Sequence, residues 1–219
     1  PLVSTYNIYG QGEDYSYDVS GYLDEITISA DMTITITRNT LHQITKIEDS
    51  DGRIVEYTYD ALGRRTGRTT DGRVDGPEDT AWVYAAGPAP VAVLTGDGMV
   101  RARFTYGTRS WVPDLMVIPN GASPLVFAVI TDHRGSVRAI VGTRAGLETF
   151  APADYDAYGN LTASPAVRTR LAYYGFSFAG GLLDADTSLV HLGARDYDPE
   201  TGTWIQPDPI RFGGGDTNL

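Results

Sequence analysis

Tyr17-Asp18-Val19-Ser20-Gly21, Tyr59-Asp60-Ala61-Leu62-Gly63 and Tyr155-Asp156-Ala157-Tyr158-Gly159 share one formula, Tyr-Asp-x-x-Gly, and the fold of this 219-residue chain is read from it. Asp at the first position and Gly at the fourth suit a type I β-turn, where the carboxylate accepts backbone N–H groups and glycine takes the conformation that leaves the turn. A tyrosine just before the turn can lay its ring on a neighbouring strand and satisfy its hydroxyl there. Asp18 and Asp60 stand 42 residues apart, as do Asp156 and the Asp198 of Tyr197-Asp198, so the period is either 42 residues or two units of 21. Asp132-His133-Arg134-Gly135 keeps the turn, and Asp51-Gly52 before Tyr57-Thr58-Tyr59 parallels Asp97-Gly98 before Phe104-Thr105-Tyr106. A fixed period in this range describes an array whose units bury their apolar faces only against one another. The unit here is a β-hairpin.

Away from the turns the chain alternates polar and apolar residues, as in Asp24-Glu25-Ile26-Thr27-Ile28 and Met32-Thr33-Ile34-Thr35-Ile36-Thr37. Helical periodicity is scarce, because Gly or Pro interrupts most windows long enough for an amphipathic helix. Ala81-Trp82-Val83-Tyr84 and Val91-Ala92-Val93-Leu94 flank a Gly87-Pro88-Ala89-Pro90 turn and predict a hairpin. Leu125-Val126-Phe127-Ala128-Val129-Ile130 reads as a fully buried strand. Gly76-Pro77-Glu78-Asp79 and Pro119-Asn120-Gly121-Ala122-Ser123-Pro124 are the loop candidates. The expected class is all-β: repeated β-hairpins forming a curved or spiral sheet.

Composition narrows the chemistry. With 17 Lys+Arg against 28 Asp+Glu the net charge is −11, which argues against a nucleic-acid partner. There is no cysteine, hence no disulfide or thiolate metal site. Twenty-five glycines and 14 tyrosines fit frequent turns and strand-forming aromatics. Every basic residue except Lys46 is arginine, which reads as codon bias or as bidentate pairing in a polar network. No apolar run is long enough for a membrane helix. The chain starts at Pro1, and the expectation is a fragment of a larger parent.

These ordered motifs resemble the YD or RHS repeat family of bacterial RHS proteins, toxin-complex C subunits and teneurins. The most specific stretch is Gly193-Ala194-Arg195-Asp196-Tyr197-Asp198-Pro199-Glu200-Thr201-Gly202-Thr203-Trp204-Ile205-Gln206-Pro207-Asp208-Pro209-Ile210, which is similar to the RHS-associated core signature. Thr131-Asp132-His133-Arg134-Gly135-Ser136-Val137-Arg138-Ala139-Ile140 resembles the family segment before that core. The resemblance implies residues 1–130 as YD/RHS repeat and 131–219 as RHS-associated core, together part of a YD-repeat shell. It implies the remaining parent chain or a shell subunit as partner, an enclosed C-terminal toxin as cargo, and a bacterial protein made in the cytoplasm and exported or surface-delivered. A teneurin-like adhesion or glycan-binding module is the alternative.

The resemblance also implies candidate chemistry. Many bacterial members cleave their own chain with an aspartic-protease-like pair, in which two carboxylates share one proton. The first carboxylate maps onto Asp208 and a supporting arginine onto Arg195. The second Asp-Pro motif falls beyond residue 219, and Arg211 stands where the family has glycine, so the fragment is expected to be half a site and no enzyme by itself. The remaining signature residues, Tyr17, Asp18, Gly21, Tyr59, Asp60, Gly63, Tyr155, Asp156, Gly159, Tyr197, Asp198 and Gly202, are read as turn formers.

No cofactor or metal motif is complete. Asp154-Tyr155-Asp156-Ala157-Tyr158-Gly159 starts like a calcium loop, but Tyr158 and Pro165 occupy ligand positions. His42, His133 and His191 are scattered and read as solvated or packed. Asn160-Leu161-Thr162 is a formal glycosylation sequon and is taken as coincidence. Trp204 is expected to anchor the core, and Trp111 is the best exposed aromatic.

Overall fold

The structure, a computed structural model, describes residues 3–6, 12–17, 23–29, 32–71, 79–144, 146 and 153–208. Asp18, Gly21, Gly76 to Glu78 and Arg211 lie outside them. Thirteen strands among the described residues make one antiparallel meander, each pairing with its neighbours in sequence. They are β1 (Val3–Tyr6), β2 (Gly12–Tyr17), β3 (Leu23–Ser29), β4 (Met32–Arg38), β5 (Ile44–Asp49), β6 (Ile54–Tyr59) and β7 (Arg65–Thr70). Next come β8 (Thr80–Tyr84), β9 (Pro90–Thr95), β10 (Val100–Thr105), β11 (Leu115–Ile118), β12 (Leu125–Thr131) and β13 (Val137–Gly142). The sheet is open, since β1 and β13 do not pair. Helix α1 (Pro165–Tyr174) comes next, then a separate sheet of β14 (Leu182–Leu183), β15 (Val190–Leu192), β16 (Arg195–Asp198) and β17 (Thr203–Trp204).

The period is 21 residues over the first three connections and lengthens after them, Pro90 standing 25 residues beyond Arg65. Tyr17 faces Leu23, Arg38 faces Ile44 and Tyr59 faces Arg65, each pair closing a five-residue connection. One position further out the register shifts, leaving Asp24, Thr45 and Thr66 as extra residues. The same shift recurs where Tyr84 faces Pro90 and Thr131 faces Val137. Such bulges bend and twist a strand. Here they also reset the alternation of faces: β5, β7, β9 and β13 all begin buried, half-buried, half-buried, buried. Ile44 and Ile47, Pro90 and Val93, Val137 and Ile140 therefore face inward from equivalent places, three residues apart.

The turns are built by the side chain of their first residue. Asp60 Oδ1 accepts from Leu62 N at 2.9 Å and Arg64 N at 3.0 Å, while Asp60 O accepts from Gly63 N at 3.0 Å. Gly63 has φ +79°, which a side chain rarely tolerates. Asp132 and Asp156 repeat the pattern. Asp198 holds a turn one residue longer, with Gly202 N bonded to Asp198 O at 2.9 Å. Asn39 makes it too, with His42 at φ +62° in glycine's place.

Four tyrosine hydroxyls reach back to the carbonyl that opens an earlier strand. Tyr59 donates to Ile44 O at 2.7 Å, Tyr84 to Arg65 O at 2.9 Å, Tyr106 to Pro90 O at 2.5 Å and Tyr155 to Val137 O at 3.0 Å. Ile44, Arg65, Pro90 and Val137 each open the strand after a turn, so every bond lands on the same kind of carbonyl. Burial pushes Tyr59 up to about 12 and the other three upward as well.

Three expectations are corrected. The stretch 125–130 is not fully buried: only Phe127 is, and Ile130 is 48% exposed, because one face of the sheet stays open to solvent. Trp204 is no core anchor; it is 42% exposed and packs edge-on against Tyr197. A ten-residue helix interrupts the β pattern, with Ser164 as N-cap, Pro165 opening the first turn and Gly175 at φ +101° ending it.

Candidate functional site at the seam between sheet and closing segment

Residues 153–206 cover one face of the sheet. Leu171, Phe176, Leu182 and Val190 pack with Val93, Phe104, Met116 and Phe127 in one apolar cluster. A second cluster joins Leu189 and Ile205 to Ile36, Ile44, Ile47 and Tyr57. Between them β7 departs from its sister strands. Arg65 and Arg68 occupy the inward places that Ile44 and Ile47 fill in β5, and both guanidinium side chains are buried.

Each arginine meets a carboxylate of the closing segment. Arg65 Nη2 lies 2.7 Å from Asp196 Oδ1, which also receives His191 Nδ1 at 3.0 Å. Gln206 Nε2 donates to Asp196 Oδ2 at 2.7 Å, and Gln206 Oε1 accepts from Asp196 N. The Arg65 guanidinium stacks 3.8 Å over the Tyr57 ring. Burial raises the Asp196 pKa, but Arg65 and then His191 outweigh it and hold the carboxyl well below the usual range. Arg68 Nε lies 2.8 Å from Asp184 Oδ2, and its Nη2 reaches Asp186. Tyr57 OH donates to Asp184 Oδ2 at 2.7 Å, and Arg38 Nη2 donates to Ile205 O at 3.2 Å. Charges removed from water this way are tolerated when paired and hydrogen-bonded, although Arg65 Nε itself is buried without a partner.

The resemblance-derived pair sits beside this seam. Arg195 Nη2 is 3.2 Å from Asp208 Oδ2, both side chains are partly exposed, and the guanidinium lies 3.9 Å over the Trp204 ring. Asp198, ten residues before Asp208, is occupied by its turn. Asn160 is engaged as well, its Nδ2 donating to Asp156 Oδ2 and Pro199 O. Among the described residues no cluster of His, Asp and Glu could hold a metal ion. No helix among them is long and apolar enough to cross a membrane.

Sequence reasoning missed Arg65, Arg68, Asp184 and the charge roles of His191 and Asp196. The signal was present: superimposing Ile44-x-x-Ile47 on Arg65-x-x-Arg68 at the 21-residue period puts two arginines at two core positions. The arginine excess thus has a structural use, at least at these two sites.

Comparison with known proteins agrees with this architecture. The family model described as Teneurin YD-shell matches residues 7–213. Among curated proteins, the tRNA3(Ser)-specific nuclease WapA of Bacillus spizizenii is 27% identical over 93% of this chain and 10% of its own length. Mouse teneurin-3 is 25% identical over 89% of this chain and 8% of its own. The probable deoxyribonuclease RhsA of Dickeya dadantii is 24% identical over 81% and 12%. The chain thus spans about a tenth of the length of these relatives. Among solved structures, the TcdB2-TccC3-TEV crystal structure superposes with a TM-score of 0.57 at 14% identity, covering 92% of this chain and 12% of that one. With its repeated hairpins, its open sheet and a family match over nearly its whole length, this chain belongs to the teneurin YD-shell family.

Proposed function

We propose that the chain supplies part of the wall, residues 1–130, and most of the closing segment, residues 131–219, of a larger bacterial RHS-type shell. That shell encloses a C-terminal toxin and delivers it, its parent being made in the cytoplasm and exported or displayed at the surface. The observation that supports this is the seam: a segment with its own small sheet is seated on one face of an open hairpin sheet by two buried arginine–carboxylate contacts. Relatives named as nucleases contain this stretch as about a tenth of their length, which leaves room for wall and cargo. The test uses the intact parent. An enclosed C-terminal segment resists protease until the shell is opened; digestion of that segment at the same rate with and without residues 153–208 counts against the reading.

A second reading is favoured by the Arg195–Asp208 contact: half of an aspartic-type self-cleaving site. One carboxylate of such a pair acts as base toward water while the other, protonated, donates to the scissile carbonyl oxygen. Asp208 is the one this chain carries, with Arg195 as the adjoining cation. A longer chain reaching the next Asp-Pro motif is expected to release a discrete product on a gel, and Asp208→Asn to abolish it. Efficient self-cleavage of the 219-residue chain itself overturns the half-site reading.

A further inference from the structure

We infer that the seam is an acid-sensitive latch, in which protonation of His191 loosens the hold of the closing segment on the sheet. The inference rests on the reading of residues 131–219, of which 153–208 form the seam, as most of the closing segment. His191 projects from β15 with its side chain 2% exposed. Its Nδ1 shares Asp196 Oδ1 with Arg65 Nη2. An ionised carboxylate only accepts, so Nδ1 carries the hydrogen and Nε2 is left bare. That Nε2 is buried and has no hydrogen-bond partner.

The groups around the imidazole leave no counter-charge for a second proton. From β16 comes Asp196, already matched by Arg65 of β7. From β6 comes the neutral Tyr59 ring, 6.1 Å away between centroids. Gln206, after β17, fills the other carboxylate oxygen. A cavity of about 80 Å³ beside His191 is lined by Tyr84 of β8, Trp111, Phe176 and Leu182, none of them anionic. An imidazolium here puts two cations on one carboxylate in the interior, with only the Gly193 backbone besides Asp196 to favour the second proton. In the released segment the same imidazolium is solvated.

Burial, and then the charge of Arg65, lower the His191 pKa from its ordinary value, with Asp196 and the Gly193 backbone opposing only in part. A depressed pKa in the closed state means that closure is favoured above about 6.5 and weakens as pH falls. The opening equilibrium gains up to about tenfold per pH unit until His191 titrates in the closed state too. Carboxylates of the open state enter only near pH 4, so the window between about 6.5 and 4.5 belongs to His191. His42 and His133 lie in the turns that precede β5 and β13.

Hydrogen exchange by residue, corrected for the intrinsic pH dependence of exchange, tests this on the full chain. Amides of β15 and β16 are expected to lose protection by up to tenfold per pH unit from 6.5 to 4.5, while those of β9 and β12 hold theirs. His191→Asn keeps a donor for Asp196 without the titration, and its profile is expected to be flat. A flat wild-type profile, a slope retained in H191N, or parallel loss in β9 and β12 each overturns the latch. If H191N does not fold, the wild-type profile alone decides. Cargo that stays protease-sensitive at every pH in the intact parent defeats the closing-segment reading instead, and leaves the exchange result standing.

Discussion

Asp196 shows how one side chain can hold two parts of a chain together. It is fully buried, and each of its oxygens is taken: Oδ1 by Arg65 and His191, Oδ2 by Gln206. Asp196→Ala strands Arg65 in the interior and is expected to cost about 3–5 kcal/mol in chemical denaturation. Arg65→Ile alone is expected to cost a similar amount, although Ile44 fills the equivalent place in β5. Adding Asp196→Leu to R65I should recover most of that loss, because an apolar pair leaves no uncompensated charge. A double-mutant cycle reads the difference directly. Gly159 illustrates the other constraint: its φ is +100°, and a Cβ there would stand 2.5 Å from the Phe178 ring. G159A is expected to destabilise by more than about 1 kcal/mol, seen as a lowered Tm.

At the level of the hairpin, the Tyr-Asp-x-x-Gly formula does two jobs. Aspartate closes its own turn, and tyrosine ties its hairpin to the carbonyl that opens the preceding strand. Tyr59→Phe removes the bond to Ile44 O while leaving the ring, so a loss of about 1–2 kcal/mol is expected. Leu62, 75% exposed in the same turn, should tolerate Leu62→Gln within about 0.5 kcal/mol. This half of the molecule was legible in the sequence because local rules write it: turn chemistry, strand alternation and a fixed period. The Ser164-Pro165 start and Gly175 stop of α1 were written too, but its inward face is only Val167, Leu171 and Ala172, too sparse to register as amphipathic. The inward arginines could be found from the spacing, but their partners could not, because Arg68 meets Asp184 across 116 residues and Arg65 meets Asp196 across 131. No local pattern encodes such a meeting.

The whole molecule is a sheet of small apolar clusters and turn carboxylates, and acid acts on both kinds of join. At Asp60, burial raises the pKa, but the N–H groups of Arg64 and Leu62 and the Arg64 guanidinium outweigh it, so the net shift is downward. Asp49 and Asp156 are lowered in the same manner. Carboxyls depressed by folding stabilise the fold above about pH 4 and cease to do so as pH falls further. Global Tm is therefore expected to decline below about pH 4, separately from the His191 step at the seam. Differential scanning calorimetry from pH 7 to 2.5 checks the order of the two events.

The 21-residue spacing carries a genetic corollary. Since the hairpins opening at Leu23, Ile44 and Arg65 repeat the same bulge 21 residues apart, an in-frame duplication or loss of 21 codons in that stretch returns every side chain to the face it left. A single-residue insertion within a strand instead inverts the faces of that strand's remaining residues. Shell size can then evolve in whole quanta, and lineages should differ in circumference by hairpins rather than by residues.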